Sequence, residues 1–245
     1  MKRFIVFATA LILLGTVAYA ANLEDFNGNS LNKMWEYRDP LNNGDYTISG
    51  GKLTLDLKAN ADMYIPGTDG GVLFLIDPPA EDNFSIEMLE NVAVDGFQPP
   101  ATHFGIIFFN EDEWAYSAWG AYANTDTRLE DCLGGTYRWR ADTQIGIDQG
   151  DVRIDEEVYL RVVKKGESLE FFAKGSAGEA WISAGTDTTL GPSYKKGDYK
   201  IGIFAKSWGG SIDSTFEADY FNVPELVLSV EPAGKLATTW GDIKR

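Results

Sequence analysis

The chain has 245 residues, of which 44% are hydrophobic and 13% aromatic, so it has enough apolar surface to form a folded core. Its formal net charge of −16 argues against binding nucleic acid or an anionic membrane surface, because both need Lys and Arg to neutralise phosphates. The same charge fits a neutral glycan, a cationic partner or Ca²⁺, and it is equally typical of an exported protein that is acidic for solubility alone.

The first twenty residues have the three parts of a secretory signal peptide. Lys2 and Arg3 form a basic start, residues 4–17 form an apolar run, and Ala18 and Ala20 frame a small-x-small cleavage site. The apolar run, about 14 residues long, is too short to cross a bilayer of roughly 30 Å. We therefore predict a secreted or periplasmic protein, with cleavage near Ala20 and no membrane span in the mature chain.

Almost all of the remaining chain has the pattern of short strands, in which apolar and polar residues alternate between turn signals. Gly50 and Gly51 separate two such runs and predict a hairpin. Residues 103–109 are apolar at consecutive positions, which indicates a central strand covered on both faces. The predicted strands are residues 46–49, 52–58, 71–76, 84–92, 103–109, 114–122, 129–133, 136–147, 158–163, 168–174, 199–206 and 214–223. This pattern predicts an all-β, antiparallel two-sheet β-sandwich.

The predicted organisation is one domain between two terminal segments. Residues 1–20 are the signal peptide, residues 21–224 the sandwich, and residues 225–245 a C-terminal tail. In that tail, residues 225–230 could add one strand, and residues 235–245 are either loosely ordered or a sorting signal.

The chain has one cysteine, Cys132, and one histidine, His103, which excludes several kinds of chemistry. A single thiol cannot form an internal disulfide, and a single histidine excludes most zinc sites and most Ser–His–Asp triads. Nothing in the sequence places the two residues together as a catalytic pair. We expect Cys132 to be a small buried residue of the core.

Three motifs, in this order, carry a resemblance to a known family. The chain opens with LEDFNG at residues 23–28 and Trp35, has a predicted hairpin containing LRVVKKG at residues 160–166, and closes with GIFA at 202–205 and FEADYF at 216–221. This order resembles the concanavalin A-like jelly rolls, in particular the C-terminal accessory domain of bacterial β-xylosidases and related uncharacterised bacterial domains. The usual Ser-x-Asp-Gly-x-x-Trp element after the hairpin is altered here, because its Asp is absent before Trp181.

The resemblance implies that the first and last strands lie side by side, with Phe26 and either Tyr220 or Phe221 closing one end of the core. It also implies a structural Ca²⁺ near the paired termini, held by Asp25 and Asp219. The alternative is an acidic sheet edge that discourages pairing with another strand.

Aromatic and cationic residues suggest a carbohydrate surface, since sugars stack their C–H faces on Trp and Tyr. The candidate carbohydrate-binding residues are Trp114, Tyr116, Arg138, Trp139, Arg140, Arg161 and Trp208. Strand alternation places Tyr137 and Trp139 on one face and Arg138, Arg140 and Asp142 on the other, so one of these sets would join Trp114, Tyr116 and Arg161 in a groove. The alternatives are that the aromatic residues fill the core and that Arg161 forms a surface ion pair.

Carboxylate spacing argues against glycoside hydrolysis. Glucanases of related fold carry Glu-x-Asp-x-Glu on one strand, which directs all three carboxylates into one cleft. Here Glu87 and Glu90 face opposite sides of a strand, and adjacent Glu130 and Asp131 do as well. We therefore predict no enzymatic activity.

We predict an exported, non-catalytic, carbohydrate-binding-like module whose partner is a polysaccharide or glycoconjugate and whose only cofactor is a structural Ca²⁺. Two alternatives stay open: a glycoside hydrolase of the same fold, and a structural module of an extracellular or envelope assembly. The sequence does not define the oligomeric state.

Overall fold

The computed structural model describes residues 23–63, 70–91, 102–122, 125–143, 157–195, 197–209 and 213–226. The predicted signal peptide and residues 227–245 lie outside the described residues. In the described part of the chain, no helix is long and apolar enough to cross a membrane.

The described residues form fifteen strands and one 3-10 turn at Gly191–Ser193. The first eight strands are β1 (Leu23–Glu24), β2 (Glu36–Arg38), β3 (Gly44–Ser49), β4 (Lys52–Leu57), β5 (Val72–Ile76), β6 (Asn83–Asn91), β7 (Thr102–Asn110) and β8 (Ala115–Tyr122). The other seven are β9 (Thr125–Leu133), β10 (Thr136–Thr143), β11 (Glu157–Lys165), β12 (Ser168–Lys174), β13 (Ile182–Asp187), β14 (Lys200–Ser207) and β15 (Ser214–Asn222).

Two antiparallel sheets pack face to face, which confirms the predicted β-sandwich. Sheet I has the order β13-β12-β11-β6-β15-β4-β3, with short β1 also paired to β15. Sheet II has the order β10-β9-β8-β7-β14-β5-β2. Because the closing strand β15 pairs with β1, the first and last strands lie side by side as the resemblance implies.

Local sequence explains the hairpins. Gly50 and Gly51 have φ values of 62° and 81°, and they join β3 to β4 with Ser49 opposite Lys52. Positive φ at both central residues matches the right-handed twist of the paired strands, and glycine adopts it without steric cost. The predicted β11–β12 hairpin is confirmed in the same way, with Lys165 opposite Ser168.

The inner faces of the two sheets form the main core. Trp119 and Phe171 pack across it with ring centroids 5.9 Å apart, and both are fully buried. At one end, Phe221 packs edge-on against Trp35 at 5.2 Å while Phe26 is 1% exposed. Phe26 and Phe221 therefore close that end of the core, as predicted.

The outer faces of the two sheets differ. Strand β6 of sheet I alternates between buried and partly exposed residues, whereas every residue of β7 and β8 in sheet II is buried. This confirms that residues 103–109 are covered on both faces. A second buried cluster lies on the outer face of sheet II and includes Leu73, Ile107, Tyr116, Phe204 and Cys132, so the expectation of a buried thiol is also confirmed.

Candidate functional site

Two predicted glycan-contacting aromatics lie on the outer face of sheet II, but both are buried. Trp114 is 7% exposed and packs edge-on against Phe109 at 5.5 Å, and Tyr116 is 0% exposed. They contribute to the second buried cluster, so neither is a stacking platform open to solvent.

Arg161 does not share a groove with Trp114 and Tyr116, which corrects the sequence-based groove. It lies on β11 in sheet I, where its guanidinium pairs with the Glu87 carboxylate and stacks over Trp181 at 4.3 Å. The groove was wrong because the sequence does not reveal which strands share a sheet. The observed geometry is the surface ion pair that was the alternative for Arg161.

Arg138, Trp139 and Arg140 lie on β10, where their side chains are outside the described part of the structure. The backbone register pairs Arg138 with Asp131 and Trp139 with Glu130, and it shifts between Trp139 and Ala141. This irregularity interrupts the strict alternation from which the two sets of side chains were predicted.

Four polar side chains meet on the outer face of sheet II, and we call them the outer-face cluster. They come from four neighbouring strands: His103 on β7, Tyr116 on β8, Glu130 on β9 and Lys206 on β14. The cross-strand register aligns Lys206 with His103, so residues distant in sequence become neighbours. All four are buried, with Lys206 only 2% exposed.

Glu130 is the centre of the outer-face cluster. Its Oε1 accepts a hydrogen bond from the Tyr116 hydroxyl at 3.0 Å and forms an ion pair with the Lys206 ammonium group. Desolvating two charges costs several kcal/mol per ion, which a close ion pair and added hydrogen bonds must offset. The contacts of Glu130 with Tyr116 and Lys206 are therefore what offsets the burial of the two charges.

Lys206 has a strongly perturbed titration. Its pKa is lowered to about 7, mainly by burial; the Asp62 carboxylate opposes this shift, and the positive charge of Arg128 adds to it. The amine also lies beside aromatic rings, with Nζ 5.5 Å from the Tyr116 ring centroid and 4.9 Å from that of Trp208.

His103 has its tautomer set by a backbone contact. Its Nε2 lies 3.2 Å from the Arg128 carbonyl oxygen, which can only accept, so Nε2 carries the hydrogen. Its Nδ1 faces Glu130 Oε2 at 3.7 Å, and the ring packs edge-on against Phe204 at 4.7 Å. Rigid packing therefore holds the imidazole in one orientation.

A border formed by buried Tyr122 and partly exposed Arg128 and Trp208 adjoins the outer-face cluster. The Arg128 guanidinium lies 3.3 Å above the Tyr122 ring, whose centroid is 5.5 Å from that of Trp208. Arg128 and Trp208 are both half-buried. We call this group the rim. It gives a continuous line in which two neighbouring aromatic rings, Tyr122 and Trp208, lie between the cations of Arg128 and Lys206.

Sequence reasoning included Tyr116 and Trp208 but missed His103, Glu130 and Lys206. The available signal was a charged residue at an outward position of a strand that is otherwise apolar. Lys206 follows the run IGIFA on β14, and His103 opens the apolar run of β7. Such residues are seldom buried unless they are paired, so each predicts a partner on a neighbouring strand.

The predicted calcium ligands face different partners. Asp25 accepts the Asn27 side-chain amide at 2.6 Å, and Asp219 lies 3.8 Å from the Lys52 ammonium group, with burial raising its pKa. Among the described residues, no group of three His, Cys, Asp or Glu side chains is placed to hold a metal ion. Calcium binding by Asp25 and Asp219 stays a prediction.

Comparison with known proteins identifies the fold. No protein-family model and no curated protein matches the chain. Similar structures include a xylan β-1,4-xylosidase from Bacillus halodurans (16% identity, 82% of this chain and 38% of that one, TM-score 0.61) and a β-1,3-glucanase from Mycobacterium marinum (11%, 82% and 97%, 0.50). A third is lectin I from Ulex europaeus in complex with the methyl glycoside of α-L-fucose (8%, 80% and 94%, 0.51). The chain has the concanavalin A-like jelly-roll fold, and it spans 38% of the xylosidase's length.

Proposed function

We propose that this protein is a non-catalytic saccharide-binding module whose site is the outer face of sheet II, entered at the rim. One observation carries the proposal: Arg128, Tyr122, Trp208 and Lys206 form a continuous cation–aromatic line beside a buried carboxylate. Aromatic faces suit the C–H faces of sugars, and a few fixed charged groups suit their hydroxyls.

Trp208 is the member of this line best placed to contact a ligand. It is half-buried and directly follows the end of β14. Its indole packs against the Lys206 amine and the Tyr122 ring. A side chain fixed in this way loses little conformational entropy when it binds, which favours affinity. The similar xylosidase, glucanase and lectin are named for glycan chemistry, which supports a saccharide as the ligand class.

The contacts of Glu130 support a non-catalytic role. Hydrolysis requires one carboxylic acid that gives a proton and a second carboxylate close by. Glu130 Oε1 is already engaged by Lys206 and Tyr116, so this oxygen is not free to give a proton to a glycosidic bond. The rival hydrolase would use Asp62, whose charge acts on Lys206, as the second carboxylate.

Export by the signal peptide places this module outside the cytoplasm, where polysaccharides and glycoconjugates are available as partners. The mass of the secreted protein tests this part, because cleavage predicts a mature chain that begins at Ala21.

Isothermal titration with xylotriose, cellotriose, laminaritriose and methyl α-L-fucoside tests the binding function. We expect at least one of them to bind, and Trp208→Ala to weaken that binding about tenfold, since loss of an aromatic contact costs roughly 1–1.5 kcal/mol. Trp181→Ala is the matched control, because Trp181 also stacks on cations, Arg161 and Lys174, but on sheet I.

Two results would contradict the proposal. No binding by any of the four saccharides, or an equal loss in Trp208→Ala and Trp181→Ala, would exclude this site. Release of monosaccharide from the trisaccharides during the titration would instead support the hydrolase.

A further inference from the structure

The chain contains two asparagines that are followed directly by glycine, Asn27 in the loop after β1 and Asn43 just before β3. In such a pair the main-chain nitrogen of the glycine can attack the side-chain amide carbon of the asparagine, because the attack is intramolecular and closes a five-membered ring. Glycine favours the reaction, since it has no Cβ to block the approach and its backbone adopts many conformations. The local structure therefore decides whether either pair reacts.

Hydrogen bonds lock the pair formed by Asn43 and Gly44. The Gly44 N–H, whose nitrogen would have to attack, donates to Asp39 Oδ2 at 2.9 Å, and the Asn43 main-chain N–H donates to Asp39 Oδ1 at 2.8 Å. The Asn43 side-chain amide donates to the Gly70 carbonyl oxygen at 2.9 Å. Attack at Asn43 therefore requires several of these bonds to break at once, through a local opening of the structure.

The glycine of the other pair, Asn27 and Gly28, has no such restraint. Both residues are exposed and lie outside the strands. Among the described residues, no hydrogen bond holds the Gly28 N–H. The surroundings of Gly28 are also uncrowded, since the nearest atom to a Cβ built there is the Ser30 carbonyl oxygen at 3.4 Å. The main chain at Gly28 can therefore rotate without breaking other contacts.

Asp25 holds the Asn27 side chain through atoms that the reaction does not attack. Asp25 Oδ2 accepts a hydrogen bond from the Asn27 side-chain amide at 2.6 Å, and Asp25 Oδ1 accepts one from the Asn27 main-chain N–H at 3.2 Å. The amide nitrogen is the group that leaves in the reaction, whereas the carbon beside it is the one attacked. The asparagine is thus positioned while the glycine that must move is free.

We propose that Asn27 is a site of spontaneous deamidation in the folded protein and that the fold protects Asn43. The Gly28 nitrogen loses its proton and bonds to Asn27 Cγ, the Cγ–Nδ2 bond breaks, and Nδ2 leaves as ammonia with that proton. Water then opens the cyclic imide at one of its two carbonyl carbons, which gives aspartate or isoaspartate. The new carboxylic acid ionises, and ammonia takes up its proton. The net reaction consumes one water and involves no oxidation or reduction.

The product differs from asparagine at the end of the molecule where β1 pairs with β15. A carboxylate at position 27 cannot donate to Asp25, and it places a second negative charge beside that residue. Isoaspartate also adds one carbon to the main chain directly after Phe26, which is buried and closes this end of the core. Deamidation would therefore remove a hydrogen bond and change the charge next to Phe26.

Peptide mapping by mass spectrometry tests the proposal on the full mature chain. The folded protein is incubated at mildly alkaline pH in water labelled with heavy oxygen, so that each newly formed carboxylate carries the label. We expect Asn27 to become labelled at least tenfold faster than Asn43. In urea the local structure is lost, and the two rates should then agree within threefold, because both asparagines precede glycine.

Gly28→Ala is the matched variant. Its methyl group hinders the approach of the attacking nitrogen, and the space around Gly28 accepts a Cβ without displacing a neighbour. Labelling at Asn27 should fall at least tenfold in this variant, while the rate at Asn43 stays unchanged. Asn27→Asp supplies the aspartate product as a reference for the mapped peptide.

Two outcomes would overturn the proposal. Equal labelling of Asn27 and Asn43 in the folded protein would show that the bonds to Asp39 and Gly70 give no protection. Labelling of both asparagines in urea but of neither in the folded protein would show that the fold protects Asn27 as well. Neither outcome depends on a saccharide, so this proposal and the proposed function can fail independently.

Discussion

Glu130 and Lys206 show how a single charged pair can set both the stability and the chemistry of a sheet face. Each is buried, and each alone would be an unpaired charge in a low-dielectric setting. Their contact converts two unfavourable residues into one neutral unit. The contribution of each residue to the free energy of unfolding therefore depends strongly on the presence of the other.

We expect Glu130→Leu or Lys206→Met alone to lower the free energy of unfolding by about 3–5 kcal/mol, whereas the double variant recovers most of that loss. The reason is that the single variants leave a charge buried without a partner. Urea unfolding of the four proteins measures this coupling. The exposed pair Lys165–Glu170 is the control and should show coupling of about 1 kcal/mol or less. Additive losses at Glu130 and Lys206 would contradict the account.

Lys206 also predicts a pH dependence. Its pKa is about 7 in the folded protein and about 10.4 in an unfolded chain, so the unfolded state holds the proton over this range. The contribution of Lys206 is unfavourable below pH 7 and becomes less so as pH rises from 7 to 10. The free energy of unfolding of the wild type should rise over that window relative to Lys206→Met. If the free energies of unfolding of the two proteins changed in parallel with pH, the lowered pKa of Lys206 would be contradicted.

At the level of strands, the sequence predicts the hairpins well but misses the two edge strands β13 and β2. Alternation and turn glycines locate β3–β4 and β11–β12, because both signals are local. Strand β13 was missed because it lies at a sheet edge and most of its residues are exposed, so it lacks a buried face to create alternation. Strand β2 was missed because it has only three residues.

The outer-face cluster could not be predicted for a different reason. His103 and Lys206 become neighbours only through the β14–β7 register, and Glu130 only through the position of β9 in sheet II. No local pattern encodes that order. Arg161 shows the same limit: its strand and its outward direction were predicted correctly, but the sequence did not show that β11 belongs to sheet I rather than sheet II.

Gly105 on β7 and Gly120 on β8 lie opposite each other, and Gly120 gives a prediction at this scale. Gly120→Ala should lower the free energy of unfolding by about 1–3 kcal/mol, because its Cβ would meet the Phe104 backbone and force the strands apart. Gly178→Ala is the control: it is exposed with open space around it, so it should stay within about 0.5 kcal/mol. Thermal or urea unfolding measures both, and equal stabilities would show that close approach at Gly120 is not required.

For the whole molecule, the fold, the acidic charge and the predicted leader are consistent with a stable module that works outside the cell. The first and last strands of the described residues, β1 and β15, pair close to the predicted calcium ligands. Lys52 competes for this position, since it pairs with both Glu217 and Asp219.

Calcium binding is tested by thermal unfolding with added Ca²⁺ and with EDTA. An ion at one hundred times its dissociation constant stabilises by about 2.7 kcal/mol, and EDTA should then lower Tm by roughly 5–10 °C in a chain of this size. Asp25→Asn should remove that difference. An unchanged Tm with EDTA would contradict the calcium prediction.

The most direct test of the saccharide site is a two-dimensional NMR titration of the indole N–H groups, with the Trp208 signal assigned through Trp208→Phe. As saccharide is added, we expect the Trp208 signal to shift. The signals of Trp35 and Trp119 should stay fixed, since their N–H groups bond inside the protein to Glu24 and Phe172. A shift confined to Trp181, with Trp208 unchanged, would place the ligand on sheet I and contradict the account.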